Sequence, residues 1–245
     1  MRNYYYDLHT HSCLSPCGSE ESTPASIAGM AKLAGLDIIA LTDHNSSRNC
    51  PAFFEAARAY GVVPVAGMEL TTSEDIHAVC LFENLEDAMR FDEEIDSRRM
   101  KIPNRPDIFG EQQILDSDDN EIGRVDTLLT VATDISIDAL YGVVKEFGGV
   151  CYPAHIDRDA NGIVAVLGTI PPDSDFDFYE IHDGDRIPEF SERYGIAKER
   201  FIISSDAHYL DGIKDKENYI SLDCDTDDER DVRRALFEHL RRYAE

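Results

Sequence analysis

The sequence predicts an α/β fold, a TIM-like barrel in which seven strands alternate with helices. The chain has 245 residues, 42% of them hydrophobic, which suffices for one large domain with a substantial core. Short apolar runs alternate with segments of helical pattern, as in the βα units of a mostly parallel sheet. Histidine and carboxylate residues follow most of these runs, at the strand ends where barrel enzymes carry their functional groups.

The seven predicted strands are short, and the second is apolar enough to be buried on both faces of a parallel sheet. They comprise residues 4–8, 37–41, 62–66, 76–82, 150–152, 176–181 and 201–203. An open sheet would spread the polar residues that follow these strands along one edge. Closure into a barrel would bring them around one mouth, and the barrel is therefore favoured.

Capping residues mark the helices between the strands. Thr23 is a good N-cap for the first helix, Pro24 suits its first position, and Gly35 can end it. Residues 51–60 are predicted to form the next helix, and Ser136 is predicted to cap a later one.

One segment, at about residues 84–125, interrupts the alternation and is predicted to be an insertion in a single domain that spans residues 1–245. It begins with a charged helix at 85–99, and an acidic turn at 116–121 between two short apolar pieces indicates a β-hairpin. The insertion is either a surface elaboration or a lid that contributes to specificity, because insertions after barrel strands border the active site.

The charge balance limits the kinds of partner. Acidic residues outnumber basic ones by 49 to 23, which gives a formal net charge of −26. A nucleic-acid surface needs clustered Lys and Arg, and the pairs Arg233-Arg234 and Arg241-Arg242 lie in a predicted amphipathic helix instead. The sequence therefore argues against a nucleic-acid polymer and leaves anionic small molecules open, because bound divalent cations would offset the acidity.

Other features indicate the compartment. No run approaches the ~18 apolar residues of a membrane span, and no amino-terminal leader is recognised, so a cytoplasmic protein without a membrane partner is expected. The six cysteines form no Cys-x-x-Cys pair and are expected to be free thiols. No feature of the sequence indicates an oligomeric state.

Seven of the eight histidines lie beside acidic residues or at the ends of short apolar runs. Histidine and carboxylate bind first-row transition metals, and such a centre needs several of them to converge. A single histidine beside an aspartate is more often a surface or hydrogen-bonded structural residue. Because the pattern recurs along most of the chain, it predicts a metal centre with more than one ion.

Five short motifs follow one another in a fixed order. They are Asp7-Leu8-His9-Thr10-His11, Leu41-Thr42-Asp43-His44-Asn45, Gly67-Met68-Glu69, Pro153-Ala154-His155 and Ser204-Ser205-Asp206-Ala207-His208. This ordered and specific set resembles the polymerase and histidinol phosphatase (PHP) family. The resemblance implies a distorted seven-stranded (β/α)7 barrel, two to three divalent transition metals (Mn, Zn or Fe), and hydrolysis of a phosphate ester.

Carried over motif by motif, the resemblance also implies the ligands of three metals, with one glutamate that bridges the first two. The ligands are His9, His11, Glu69 and Asp206 for the first metal, Glu69, His77 and His155 for the second, and His44 and His208 for the third.

Further residues are candidates for roles at this centre. Cys17 stands near a position where the family often has a third-site His or Asp, and its thiolate is either a ligand that would suit zinc or iron, or a packed loop residue. Asp43 either orients the histidine that follows it or contacts a metal directly. Arg158 is either a phosphate clamp or a surface residue beside its acidic neighbours. His182 matches no ligand position and, with Glu180, could line the pocket.

These features predict a hydrolase of phosphoric esters whose catalytic residues are Glu69, Asp43 and Arg158. Metals lower the pKa of bound water from about 15.7 toward ~7, and a metal-bridging hydroxide would attack the phosphorus. The predicted substrate is a phosphate monoester of a small metabolite or nucleotide. Two alternatives stay open: a phosphodiesterase or exonuclease on short nucleic acids, and a non-catalytic metal-binding regulatory domain. The near-complete ligand set argues against the latter.

Overall fold

Ten strands and eight α-helices make up the computed structural model, which describes residues 1–172, 174 and 176–242. The strands are β1 Arg2–Asp7, β2 Ile38–Leu41, β3 Val63–Thr71, β4 His77–Phe82, β5 Gln113–Leu115, β6 Glu121–Arg124, β7 Val150–Pro153, β8 Tyr179–Ile181, β9 Phe201–Ile203 and β10 Tyr219–Leu222. The helices are α1 Pro24–Ala34, α2 Cys50–Tyr60, α3 Leu85–Arg98, α4 Pro106–Phe109, α5 Ile137–Glu146, α6 Ile163–Leu167, α7 Ile187–Tyr194 and α8 Glu229–Leu240. The last three residues of the predicted domain, 243–245, lie outside the described part.

The main sheet is a curled half-barrel of six strands in the order β10-β1-β2-β3-β4-β7. The α/β class is confirmed, but the sheet is mixed rather than mostly parallel, and it does not contain the seven predicted strands. β4 runs antiparallel to β3 and to β7, and β10 runs antiparallel to β1. β3 and β4 must be antiparallel because residues 72–76 are too few for the crossover that parallel neighbours need.

The remaining two predicted strands, β8 and β9, form a separate parallel pair between β7 and β1. The N–H of Ile156, after β7, donates to the carbonyl of Glu180 at 2.9 Å, and the N–H of His11, after β1, donates to the carbonyl of Ala207 at 2.9 Å. β10 already occupies residues 2–5 of β1, so the backbone of the segment after β9 pairs with the chain beyond that strand, where Thr10 bridges to Ala207. The closure is therefore made by isolated bonds, and the barrel is distorted.

Apolar side chains fill the space on both sides of the sheet. In β2, Ile38 and Ala40 join the core inside the barrel, whereas Ile39 and Leu41 join the core under the helices, as predicted for a strand buried on both faces. The predicted cap at Thr23 is confirmed, since its side chain accepts a hydrogen bond from Ser26 N, and Gly35 ends α1 with φ 77°. No described helix is both long and apolar enough to cross a membrane.

The segment predicted as an insertion divides into two parts. Its helix, α3, buries Ala88, Phe91 and Ile95 at 0% exposure in the core under the helices, so the chain leaves this layer only after Arg98. The β-hairpin expected near residues 112–125 is present as β5 and β6. That residues 1–245 form a single domain stays a prediction.

The hairpin is fastened to the loop that follows His11. The Gln113 N–H donates to the carbonyl of Cys13 at 3.2 Å, and Leu14 packs with Val125 and Leu129 in a small apolar cluster. This arrangement places the hairpin next to the loop that carries Cys17.

Candidate metal centre

Glu69 occupies the middle of the site. β3 continues to Thr71, beyond its predicted end, so this glutamate belongs to the strand and is fully buried. Its Oε1 lies 2.8 Å from His77 Nδ1 and 3.0 Å from His155 Nε2, and its Oε2 lies 2.9 Å from His44 Nδ1. One carboxylate thus contacts three imidazole rings.

A second set of side chains meets Glu69 from the direction of β1 and β9. His9 Nε2 lies 3.3 Å and His11 Nε2 3.0 Å from Asp206 Oδ1. The same two nitrogens lie 3.5 and 3.4 Å from the Glu69 carboxylate and only 3.1 Å from each other.

His77 shows why the mixed sheet still assembles one site. It is the first residue of β4, not a residue at a carboxyl end. Because β4 is antiparallel to β3, His77 pairs with Thr71 at the end of β3 and lies at the same mouth as the residues that follow β1, β2, β7 and β9.

The structure brings all the predicted His, Glu and Asp ligands except His155 together in overlapping groups. Three groups have ligand atoms within 4.8 Å of one another: His9, His11, Glu69 and Asp206; His44, Glu69 and His77; and His11, His44 and His208. The first is the set that the resemblance implied for the first metal. In the second, His44 joins Glu69 and His77, while His155 contacts the Glu69 oxygen nearest to His77.

The donors fit a divalent transition metal. Glu69 Oε2 and His44 Nδ1 are buried and lie 2.9 Å apart, yet neither makes a hydrogen bond with a described group. A buried carboxylate oxygen and a buried ring nitrogen this close together can serve as ligands of a common cation. Imidazole nitrogens and carboxylate oxygens suit Mn, Fe and Zn.

The charges are strongly coupled. Burial disfavours the ionised form of Glu69, but the neighbouring His77, His9 and His44 rings outweigh it and hold the pKa well below its usual value. Burial, with the charge of His208, lowers the pKa of His11 well below its usual value. Ionised carboxylate and neutral imidazole are the forms that bind metals.

His9 differs from His11. Burial would lower its pKa, but Glu180, Asp206 and Glu69 outweigh this effect and raise the pKa well above the usual value. Several carboxylates thus favour a positive charge at this position, which a metal ion would supply in place of the proton.

Two of the predicted ligands have an unusual backbone. His155 has φ 28° and Asp206 has φ 51°, both in the region that non-glycine residues rarely adopt. Such conformations cost about 1–3 kcal/mol each and persist where the surrounding structure holds them.

Asp43 lies behind the ligands. Its Oδ1 accepts hydrogen bonds from Ser12 N and from Ser15 Oγ, each at 2.7 Å, and its Oδ2 accepts one from Ser12 Oγ at 2.7 Å. Ser15 Oγ lies 3.0 Å from His11 Nδ1 and accepts the His44 N–H at 3.1 Å. Asp43 therefore acts on the ligands through Ser15, and direct contact with a metal is not what the structure favours.

Cys17 lies at the edge of the third group. Cys17 is exposed, and the desolvation of its thiol by nearby groups would raise the pKa, but hydrogen bonds with His208 and His44 outweigh that effect and lower the pKa to about 7. The thiol is thus within reach of the two histidines assigned to the third metal.

Arg158 lies at the mouth of the site, where its side chain is 38% exposed. It pairs with Asp206 Oδ2, and its second terminal nitrogen lies 3.3 Å from His182 Nδ1. With Glu69 and four of the histidines predicted as ligands it lines a cavity of about 390 Å³, to which it contributes a positive charge.

Sequence reasoning missed the roles of two acidic residues. Glu180 contacts His9 and the backbone of His155. Asp7 accepts hydrogen bonds from His9 N at 3.3 Å and Ser205 N at 3.1 Å and so links the chain after β1 to the chain after β9. The sequence feature that could have indicated a role for Glu180 is the presence of a carboxylate within an apolar strand.

A family model described as the PHP domain matches residues 7–144, more than half of the chain. The chain belongs to the PHP domain family. No curated protein was found to match it.

Solved structures share the fold. The lesion-specific endonuclease PfuEndoQ from Pyrococcus furiosus aligns with a TM-score of 0.63 and 18% identity over 96% of this chain and 56% of that one. Endonuclease Q in complex with a 27-mer duplex that has an abasic lesion at the active site aligns with a TM-score of 0.62 and 18% identity, with the same coverage. A candidate metal-dependent phosphoesterase from Bifidobacterium adolescentis aligns with a TM-score of 0.55 and 18% identity over 94% of this chain and 95% of that one. The PHP chain thus spans 56% of the length of the two endonuclease chains.

Proposed function

We propose that this protein is a metal-dependent phosphoesterase that hydrolyses a phosphate monoester of a small metabolite or nucleotide. The observation that carries the proposal is the convergence of three overlapping groups of candidate ligands, two of which contain Glu69, at the floor of a cavity with Arg158 at its mouth. Phosphoester hydrolysis needs an activated water and positive charge for the phosphate oxygens, and such a site can provide both.

Each residue has a separate task in this proposal. When bound, two to three divalent metals (Mn, Zn or Fe) would supply a hydroxide at neutral pH and neutralise the phosphate. Glu69 would bridge two of them, and Asp43 would hold Ser15 and, through it, His11 and His44. Arg158 would exchange its contact with Asp206 for the phosphate oxygens, which a guanidinium binds bidentately.

Charge favours a small substrate over a polymer. The net charge of −26 opposes a long polyanion, and Arg158 has Asp159 as its neighbour at the cavity wall. We also propose a cytoplasmic location, which the free state of all six cysteines supports.

A nuclease is the second candidate. The similarity to Endonuclease Q extends over 96% of this chain, and a related structure contains a DNA duplex. The fold is therefore compatible with a phosphodiester substrate, and a short nucleic acid could place one phosphate in the cavity.

A phosphate-release screen would separate the candidates. Protein loaded separately with Mn²⁺ and Zn²⁺ would be incubated with a panel of monoesters and nucleotides, and a parallel assay would follow cleavage of oligonucleotides, with and without an abasic site. We expect release from monoesters that is lost after chelation and in Glu69→Gln. Cleavage of oligonucleotides alone would establish the nuclease, and inactivity of fully metallated protein on every substrate would contradict both enzyme proposals.

A further inference from the structure

Glu180 contacts two parts of the metal centre with one carboxylate. Its Oε1 lies 2.9 Å from His9 Nδ1 and 3.0 Å from His155 N, and its Oε2 lies 3.0 Å from His9 Nδ1. His9 belongs to the group around Asp206, whereas His155 contacts Glu69 on the side of His77.

The position of Glu180 on β8 buries its carboxylate, which is energetically unfavourable without partners. Tyr179 and Ile181 point into the core under the helices, and Phe178 points into the barrel interior, so Glu180 takes an interior position where an apolar residue would be expected. Glu180 is 1% exposed. A buried carboxylate is unfavourable unless it is paired and hydrogen-bonded, and the groups that pair with it here are His9 and the His155 N–H.

The contact with His9 fixes which ring nitrogen is free. An ionised carboxylate only accepts hydrogen bonds, so His9 Nδ1 donates to Glu180, and Nε2 is the ring nitrogen left to face the other predicted ligands. That Nε2 lies 3.3 Å from Asp206 Oδ1 and 3.5 Å from Glu69 Oε1, among the other ligand atoms. The partner of the second ring nitrogen commonly sets both the tautomer and the ring orientation of a ligating histidine.

The contact with His155 acts on the backbone. His155 has φ 28°, a conformation that needs support from its surroundings. The hydrogen bond from its N–H to Glu180 Oε1 and the neighbouring bond from Ile156 N to Glu180 O hold this turn against β8. The ring is thereby directed so that Nε2 lies 3.0 Å from Glu69 Oε1.

We propose that Glu180 is a positioning residue that sets two metal sites at once, through the tautomer of His9 and through the backbone of His155. The inference rests on the metal centre of the proposed function. Glu180 is not itself a predicted ligand, but by this inference its carboxylate determines the distance between the site that contains His9 and the site that contains His155.

Metal binding by the full chain tests this role. The apo protein is titrated with Mn²⁺ by calorimetry as wild type, as Glu180→Gln, which keeps the shape but loses the charge and one acceptor, and as Glu180→Met, which removes both acceptors. Loss of such an outer partner weakens metal binding by about 10–100-fold, so we expect two binding steps to weaken, by roughly tenfold in Gln and up to about 100-fold in Met.

Asp183→Asn is the matched control, because Asp183 lies three residues along and its side chain accepts a hydrogen bond from Asp185 N. It should bind Mn²⁺ as wild type does. In the Zn²⁺-loaded protein, nitrogen NMR of labelled histidine should show His9 protonated at Nδ1 in wild type and a changed His9 signal in Glu180→Met. If Glu180→Met does not fold, the Mn²⁺ titration and the histidine NMR of Glu180→Gln test the proposal instead.

The outcomes separate this inference from the proposed function. Wild-type affinities in the Glu180 variants, or weakening of only one step, would overturn the two-site role. Wild-type protein that binds less than one metal would instead contradict the proposed metal centre itself.

Discussion

Replacement of Glu69 by glutamine is the sharpest perturbation of the centre. The substitution keeps the size of the side chain but removes its charge and one of its two acceptor oxygens. In the structure the Glu69 carboxylate lies within 3.5 Å of five histidine rings, those of His9, His11, His44, His77 and His155. No conservative change elsewhere in the described site touches as many of its predicted ligands.

The expected effect follows from the number of sites that share this carboxylate. Loss of a residue that only hydrogen-bonds to a ligand already weakens metal binding by about 10–100-fold. Loss of a ligand itself should therefore lower the metal affinity by at least about 100-fold at each of two sites. Joint occupancy then falls by about 10⁴-fold, which corresponds to roughly 5 kcal/mol. Turnover at limiting metal should fall in the same proportion.

Elemental analysis after dialysis and phosphate release at a fixed Mn²⁺ concentration measure the two effects. Glu74→Gln is a matched control, because Glu74 lies in the turn between the same two strands and accepts a hydrogen bond from Ile137 N. The control should keep both metals and activity. Near-normal metal content and turnover in Glu69→Gln would refute the bridging role.

Four further expectations can be checked separately. Protein purified without chelator should contain two to three transition-metal ions per chain, and less than one ion after reconstitution, measured by elemental analysis, would contradict a multinuclear centre. Cys17→Ser should lower the occupancy of one metal and reduce turnover less than Glu69→Gln does; equal losses would show that the thiol is not confined to the third group. Arg158→Gln should lower kcat/KM for phosphate monoesters by about 100-fold, or roughly 3 kcal/mol, at unchanged metal content, whereas Arg186→Gln should have little effect in the same assay. Phe91→Ala should lower the free energy of unfolding by about 3–5 kcal/mol in denaturant titrations, and a loss below about 1 kcal/mol would mean that α3 is not part of the core.

The sequence predicted where strands occur more reliably than how they pair. An apolar run such as residues 76–82 looks the same in either strand direction, so the antiparallel course of β4 could be inferred only from the five residues that separate it from β3. β10 was missed because Tyr219 is exposed and only alternate residues of this edge strand are buried. The packing of α3 in the core was not foreseen, since the charged outer face of this helix obscured Phe91 and Ile95.

The candidate His, Glu and Asp ligands other than His77 could be named from the sequence because they lie within five short motifs. The residues that hold the ligands could not, because their partners are distant in the chain. Glu180 is 171 positions from His9, and a glutamate in an apolar strand does not reveal which ring it will meet. Asp43 was expected either to orient the adjacent His44 or to contact a metal, but its carboxylate binds Ser12 and Ser15 and reaches His44 only through Ser15.

The hairpin formed by β3 and β4 imposes an order on how the site is assembled during folding. Glu69 and His77 are 8 residues apart in the chain, whereas His11 and Asp206 are 195 apart. Contacts between near neighbours form sooner, because they close shorter loops. The newly made chain therefore acquires a carboxylate–imidazole pair before its β8–β9 segment has docked. A metal captured by this pair would recruit the later ligands, so metal uptake would begin before the barrel closes and would favour its closure.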